Sequence, residues 1–417
     1  MPTSPMKTSV AERFLHYVTY DTQSREGSDT YPSTLKQLVL LDRLVEELKA
    51  MGIADAARDE HGYVMATVPA TTKKAGVPVV GFIAHVDTSP ESSGAGVKPI
   101  VHRNWQGQDI VLPDDPAYVL RRGDNPDLEE QIGNDIITAS GTTLLGADNK
   151  AGVAAIMAAA EYLVQHPEIP HGAVRIAFTP DEEVGAGTKH FDVGRFGAYC
   201  AYTMDGEKLG QVDAETFSAD SMTVTFQGFN THPGFAQGKM INSIKVAADF
   251  IGRLPKDGLA PETTAGREGF VHPYVVEASV DRTSVKFLIR DFVTPALKEK
   301  EARLEKLARE TVAAWPGASV TCEVQESYRN MKEVLDRHPQ VVEHAREAVR
   351  RAGIPLRESA IRGGTDGCRL SFMGLPTPNV FAGEHNFHSR LEWVSVQDME
   401  KSVEVIVNIA RLWEEKA

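Results

Sequence analysis

Short apolar runs that stop abruptly at an acid or a histidine recur along this chain and set its architecture. The first holds Val79, Val80, Phe82, Ile83 and Ala84. It is too short to cross a membrane and is bounded by turn residues, so it predicts a strand buried on both faces of a largely parallel sheet. At its end come His85 and Asp87, which strand alternation places on the same side. His171–Thr179 (HGAVRIAFT) repeats the pattern and runs into Asp181, Glu182 and Glu183. Gly197–Asp205 (GAYCAYTMD) repeats it again and ends in Asp205. Between the first two runs, Asp148 follows Gly146 in a turn, and Lys150–Gln165 has alanine-rich helix propensity. Upstream, VAERFLHYVTY and LKQLVLLDRLVEELKAMG read as helices, the second stopping at Gly52. The Gly-, Pro- and Asp-rich stretch from Ser89 to Ser140 predicts an irregular excursion over the surface.

Past Asp205 the pattern changes. Ser221–Phe226 alternates, with Met222, Val224 and Phe226 on one face. Met240–Leu254 is amphipathic, with Ile241, Ile244, Ala248 and Ile251 at helical spacing. Strands over Phe270–Ser279 and Ser284–Arg290, a charged helix over Pro295–Ala314 and a strand over Ser319–Glu326 complete a β-α-β-β-α-β order. From about Asn330 the first kind of pattern resumes, with the helix Pro339–Ala352, a short strand Pro378–Ala382 and a final helix capped by Ser395. The expected class is α/β: a mixed, mostly parallel sheet flanked by helices, interrupted by a ferredoxin-like α+β domain. The expected domains are 1–214 and 329–417 for the first and 215–328 for the insert.

With 417 residues, the chain exceeds one ordinary core, which supports that division. Acidic residues number 58 against 44 Lys and Arg, a formal charge of −14 that disfavours nucleic acid or an anionic membrane as partner. The start, MPTSPMKTSVAERF, lacks an apolar signal region, and Cys200, Cys322 and Cys368 have no CxxC spacing. Both features point to a reducing, cytoplasmic setting without a thiolate metal site.

His85, Asp87, Asp148, Glu182, Glu183, Asp205 and His388 all lie at the end of an apolar strand or in a Gly-bounded turn. Several buried strands that each end in an ionisable group are costly one by one, because buried charges need partners. A shared pair of divalent cations solves the problem for all of them. Histidine and carboxylate donors without thiolate suit two Zn²⁺, with Co²⁺ or Mn²⁺ as alternatives. Adjacent Glu182 and Glu183 suggest that one carboxylate binds metal while its neighbour takes a proton.

The segments GFIAHVDTSP, LLGADNKAG, FTPDEEVGAG, YTMDGE, THPG (231–234), IRDF (289–292) and RGGTDG (362–367) resemble, in family order, those of the M20 metallopeptidases. The resemblance spans Gly81 to Trp393. It implies a zinc-peptidase domain interrupted by a lid, with Asp148 as bridging carboxylate. His85 and Asp205 would complete one metal's ligands, Glu183 and His388 the other's. Glu182 falls at the general base, Asp87 at the residue orienting His85, and the Asp148–Asn149 bond at a cis peptide. His232 matches the lid histidine that polarises the scissile carbonyl. Arg290 and Arg362 match positions suited to a substrate carboxylate, with a plain salt bridge as the rival role. Asn242 is a substrate contact or a helix start. The family has small residues where this chain has Ala382-Gly383-Glu384-His385, which makes His385 a reserve ligand behind His388.

The implied activity is release of the N-terminal residue from a short peptide, a tripeptide above all, by a metal-bridged hydroxide with Glu182 as base. Rival readings are another M20 hydrolase (dipeptidase, carboxypeptidase or N-acyl amino-acid deacylase) and a catalytically silent peptide-binding relative. Short peptides are the expected partners; a homodimer is left open.

Overall fold

The structure, a computed structural model, describes residues 8–417. The chain forms two compact units: 1–214 with 334–359 and 365–417, and 215–333 with 360–364.

The first unit is built on a seven-stranded sheet in the order Ala57–Arg58, Val64–Val68, Val174–Thr179, Val80–His85, Cys200–Gly206, Asn379–Phe381, Val212–Asp213. The four strands from Val174–Thr179 to Asn379–Phe381 are mutually parallel; Val64–Val68 and Val212–Asp213 run antiparallel to them, and Ala57–Arg58 pairs antiparallel with Val64–Val68. The sheet is therefore mixed, as expected, with its parallel pairs confined to the middle. His85 and the acidic ends of the two adjoining strands consequently meet along one edge, where ligands of open α/β sheets gather.

Helix Ala147–Gln165 packs on the His85 and Asp205 strands and is covered by helices Val10–Tyr17 and Val396–Lys416. Its alanines allow burial almost all round. Contact with the Asp205 strand is closest at Gly152, where an added Cβ would lie 1.8 Å from the Met204 carbonyl oxygen. The final helix buries Met399, Val403, Ile406, Ala410 and Trp413, and Ser395 Oγ accepts from the Asp398 N–H at 3.4 Å.

The Ser89–Ser140 stretch departs from the irregular surface excursion expected. Its strands Ile100–His102 and Ile136–Thr138 join Trp393–Ser395 and Glu384–His385 in an antiparallel sheet. Trp105, Ile110, Leu112, Leu120, Leu128 and Ile136 bury against Trp393 in a separate small core. That core closes only with a tryptophan about 250 residues downstream, a pairing beyond the reach of local periodicity.

The second unit is a four-stranded antiparallel sheet in the order Phe270–Ala278, Arg282–Asp291, Ser218–Gln227, Ser319–Tyr328. Helices Ser243–Gly252 and Thr294–Ala313 share its core. The face expected of the first helix is half right: Ile241 and Ile251 pack against the core as partly buried residues. Val246, Ala247 and Phe250 are buried, whereas Ile244 and Ala248 are exposed. Apolar residues lie on both sides of this helix, and the side bearing Phe250 offers the larger area to bury.

Two outcomes follow from this packing. Gly152→Ala should lower stability by about 1–3 kcal/mol through overpacking, read as a lower urea midpoint; an unchanged midpoint would contradict the contact. Burial pushes the Asp398 carboxyl up to about 7 from an ordinary 3.8, with Gln131 opposing and Glu130 reinforcing. A raised carboxyl binds its proton more tightly when folded, so its contribution is full below about pH 4 and is lost as pH rises to about 7. The wild-type minus Asp398→Asn difference in unfolding free energy should fall across that window; a flat difference would refute the assignment.

Candidate functional site

Seven of the residues singled out in the sequence come together in the first unit. The Asp148 carboxylate stands at the middle: its Oδ1 lies 2.9 Å from His85 Nε2 and its Oδ2 lies 3.3 Å from His388 Nε2. Asp205 Oδ1 is 3.3 Å from His85 Nε2, and Glu183 Oε2 is 2.8 Å from His388 Nε2. Two ligand groups result, His85–Asp148–Asp205 and Asp148–Glu183–His388, each presenting donor atoms within 4.8 Å of one another. One carboxylate thus faces both groups, one oxygen to each.

Local structure explains how each side chain is held. His85 ends its strand, and its Nδ1 meets the Asp87 carbonyl oxygen at 3.0 Å and Asp87 Oδ1 at 3.3 Å. The Asp87 carboxylate, fully buried, accepts from the Glu182 N–H at 3.0 Å and the Glu183 N–H at 3.2 Å. Asp87 therefore positions His85 and both glutamates. Asp148 sits where the helix start is kinked, and the Asp148–Asn149 peptide is cis, as the family resemblance implied. His388 lies in the hairpin between Glu384–His385 and Trp393–Ser395, with a left-handed φ of 59°. That conformation costs energy for a residue with a Cβ and is retained where surrounding structure demands it. Ser92 Oγ donates to the His388 carbonyl at 2.9 Å and holds the turn.

Electrostatics favour a cation here. Burial pushes Glu183 up to about 8, with Asp148 reinforcing and His388 opposing. Burial likewise pushes Glu182 well above the carboxylate range against the pull of His85, and raises Asp205. Although burial lowers it, the His85 imidazole is held well above its ordinary value by Asp205, Asp148 and Asp87. Glu183 Oε1 is buried with no hydrogen-bond partner among the described residues. A crowd of buried carboxylates, an orphaned oxygen and two imidazoles form a donor set that fits two divalent cations. Their pKa shifts have desolvation and mutual charge as cause, the two penalties that cations relieve.

Further acids take part that sequence reasoning gave no role. Glu392, buried, accepts from the backbone N–H groups of Leu145, Gly146 and Asp148 at 2.8, 2.7 and 2.9 Å. It holds the turn that presents Asp148. Only its place four residues after His388 hinted at it, since its bonds reach back across the chain. Asp366, from the RGGTDG segment, accepts from Thr179 Oγ1 at 2.9 Å, and burial pushes it up to about 7. Glu384 is buried with neither carboxylate oxygen partnered among the described residues. His385, the reserve ligand, belongs to neither group and clusters instead with Asp127 and Glu207.

The other expected residues belong to the second unit. His232 is exposed; its Nδ1 accepts from the Gly234 N–H at 3.1 Å, so the neutral ring carries its proton on Nε2. Asn242 Oδ1 accepts from the Ile244 N–H at 3.0 Å and caps the helix Ser243–Gly252. The Arg362 guanidinium bonds the Gly266 and Glu268 carbonyls at 2.7 and 2.9 Å and lies 5.2 Å from the Phe217 ring. Arg290 donates to the Arg362 carbonyl at 3.4 Å, and its Nε is buried without a partner. Neither arginine forms a salt bridge within 4.0 Å among the described residues, so the rival role of a plain ion pair has no carboxylate to support it.

The sequence profile of Peptidase family M20/M25/M40 matches residues 133–412. The chain belongs to this family. A curated relative, peptidase T of Geobacillus sp. (strain WCH70), is 48% identical over 412 residues, covering 99% of this chain and 100% of that protein. Peptidase T of Clostridium botulinum (strain Loch Maree / Type A3) is 47% identical over 404 residues, covering 97% and 98%. Among solved structures, aminopeptidase PepT of Bacillus cereus ATCC 10987 has a TM-score of 0.74 at 23% identity, covering 97% of this chain and 98% of that one. A tripeptidase of Staphylococcus aureus reaches 0.75 at 20% identity with the same coverage. At these identities the structures speak for the shared fold alone.

Glu392 carries the test of this arrangement. Glu392→Gln should weaken Zn²⁺ binding by about 10- to 100-fold, as loss of an outer-shell partner does, in a competition titration against a chromogenic chelator. Wild-type affinity in a folded variant would show that the Asp148 turn needs no such clamp.

Proposed function

We propose that the chain is a two-cation aminopeptidase that removes the N-terminal residue of tripeptides. The observation that carries this reading is Asp148, whose two carboxylate oxygens face His85 on one side and His388 on the other. A shared carboxylate between two ligand groups is what a two-cation hydrolytic centre requires. The curated relatives described as peptidase T, at 47–48% identity over nearly the whole chain, support the substrate class.

When bound, a pair of divalent cations, Zn²⁺ by the donor set with Co²⁺ or Mn²⁺ as alternatives, supplies Lewis acidity and lets water ionise near neutral pH. His85, Asp148 and Asp205 would hold one, and Asp148, Glu183 and His388 the other. Glu182 takes the proton of the attacking water and passes it to the leaving amine. Its high proton affinity suits the second half of that task, and Asp87 fixes its backbone for the first. His232 offers an exposed Nε2–H to the scissile carbonyl, where negative charge develops. Arg290 and Arg362, cations without a carboxylate partner among the described residues, read the substrate C-terminus. Asn242 spends its side-chain oxygen on the helix cap, which leaves its amide for a substrate carbonyl. Length selection then needs both chemistries: a centre that accepts the first peptide bond and arginines that read the far carboxylate.

A panel of di-, tri- and tetrapeptides, C-terminally amidated tripeptides and N-acetylated amino acids tests the reading. Free tripeptides should be preferred and amidation should raise KM. Glu182→Gln should lose about 10²–10⁴-fold in kcat with its metal content unchanged. Equal turnover of acetylated and free substrates would make the protein a deacylase instead, and a fully active Glu182→Gln variant would remove the base.

A further inference from the structure

Outside the centre, three side chains offer donor atoms within 4.8 Å of one another: Asp127, Glu207 and His385. They come from separate segments of the first unit. Asp127 belongs to the 3-10 helix Pro126–Gln131, Glu207 follows the Cys200–Gly206 strand, and His385 closes the two-residue strand Glu384–His385. His385 is 3% exposed and stacks on Trp393, ring centroids 3.9 Å apart and planes 6° from parallel. Among the described residues, neither of its ring nitrogens makes a hydrogen bond. Nε2 is buried and unpartnered, and Nδ1 faces Asp127 Oδ2 at 3.7 Å, too far for one. Glu207, half-buried, forms neither a hydrogen bond nor an ion pair among the described residues. Asp127 gives Oδ1 to Lys208 Nζ at 3.0 Å and keeps Oδ2, the oxygen towards His385, uncommitted.

A buried imidazole with no partner costs free energy unless something completes it. A proton does not: burial pushes His385 down to about 3, opposed by Asp127 and reinforced by Lys208 and Arg357. The ring therefore keeps a lone pair, the form in which histidine binds metal. Asp127 and Glu207 against Lys208 leave one net negative charge, while Arg357 is engaged by Glu130. One imidazole nitrogen and two carboxylates are the three-ligand set that suits Zn²⁺ and its first-row neighbours.

We propose that Asp127, Glu207 and His385 form a third site for one divalent first-row cation, separate from the paired centre. A cation there ties three segments together: the 126–131 segment, the strand that carries Asp205 and the hairpin that carries His388. The role is structural, as it fixes the loops that present two of the centre's ligands without touching the reaction.

Zinc counting tests this. Protein stripped with a chelator, reloaded with excess Zn²⁺ and desalted into metal-free buffer is assayed for zinc per chain by plasma mass spectrometry. Wild type should hold three equivalents, and His385→Ala and Glu207→Gln two each, the two of the paired centre. Glu207→Gln keeps its size and decides the matter if His385→Ala does not fold. Equal zinc content in wild type and a folded variant would overturn the proposal.

Discussion

The two oxygens of Asp148 point to two different histidines, and most of the first unit can be understood as what keeps them there. A carboxylate between imidazoles is stable in the interior only if its orientation is fixed and its charge is balanced. Glu392 supplies the orientation through three backbone N–H bonds to the turn. Gly152 supplies the room, letting the following helix press against the strand that ends in Asp205. Asp87 fixes the opposite side, bonding the Glu182 and Glu183 amides while steadying His85. Burial raises the proton affinity of Glu182, Glu183 and Asp205 together, a cost that a pair of divalent cations would offset for all three.

Parallel topology makes such a meeting possible. Four parallel strands deliver four chain ends to one edge of the sheet, and three of them run into His85, the Asp181–Glu183 segment and Asp205. The fourth leads into the hairpin that carries His388. The chain's membership of the M20 family and its 47–48% identity to peptidase T sequences extend over nearly all of this framework.

Much of this was legible in the sequence, because strands buried on both faces leave continuous apolar runs and their terminal acids stand out against them. The runs ending at His85, Thr179 and Asp205 and the stripe Met399–Trp413 are of this kind. What was not legible depends on distant partners. Glu392 is one acid among 58 Asp and Glu until its backbone bonds to residues about 245 positions upstream are seen. The Ser89–Ser140 stretch hides strands of two or three residues that close on Trp393. The Ser243–Gly252 helix is apolar on two sides, so spacing alone caught Ile241 and Ile251 at the edge of the core but also chose Ile244 and Ala248, which face water, over Val246, Ala247 and Phe250. His385 stood beside His388 in sequence, yet strand geometry turns it to Asp127 and Glu207.

The most direct test of the paired centre is an anomalous-diffraction map recorded at the zinc edge from crystals of the zinc-loaded protein. The account predicts two peaks flanking Asp148, one among His85, Asp148 and Asp205 and one among Asp148, Glu183 and His388. A single peak, or peaks that leave Asp148 in contact with one ion or none, would contradict it.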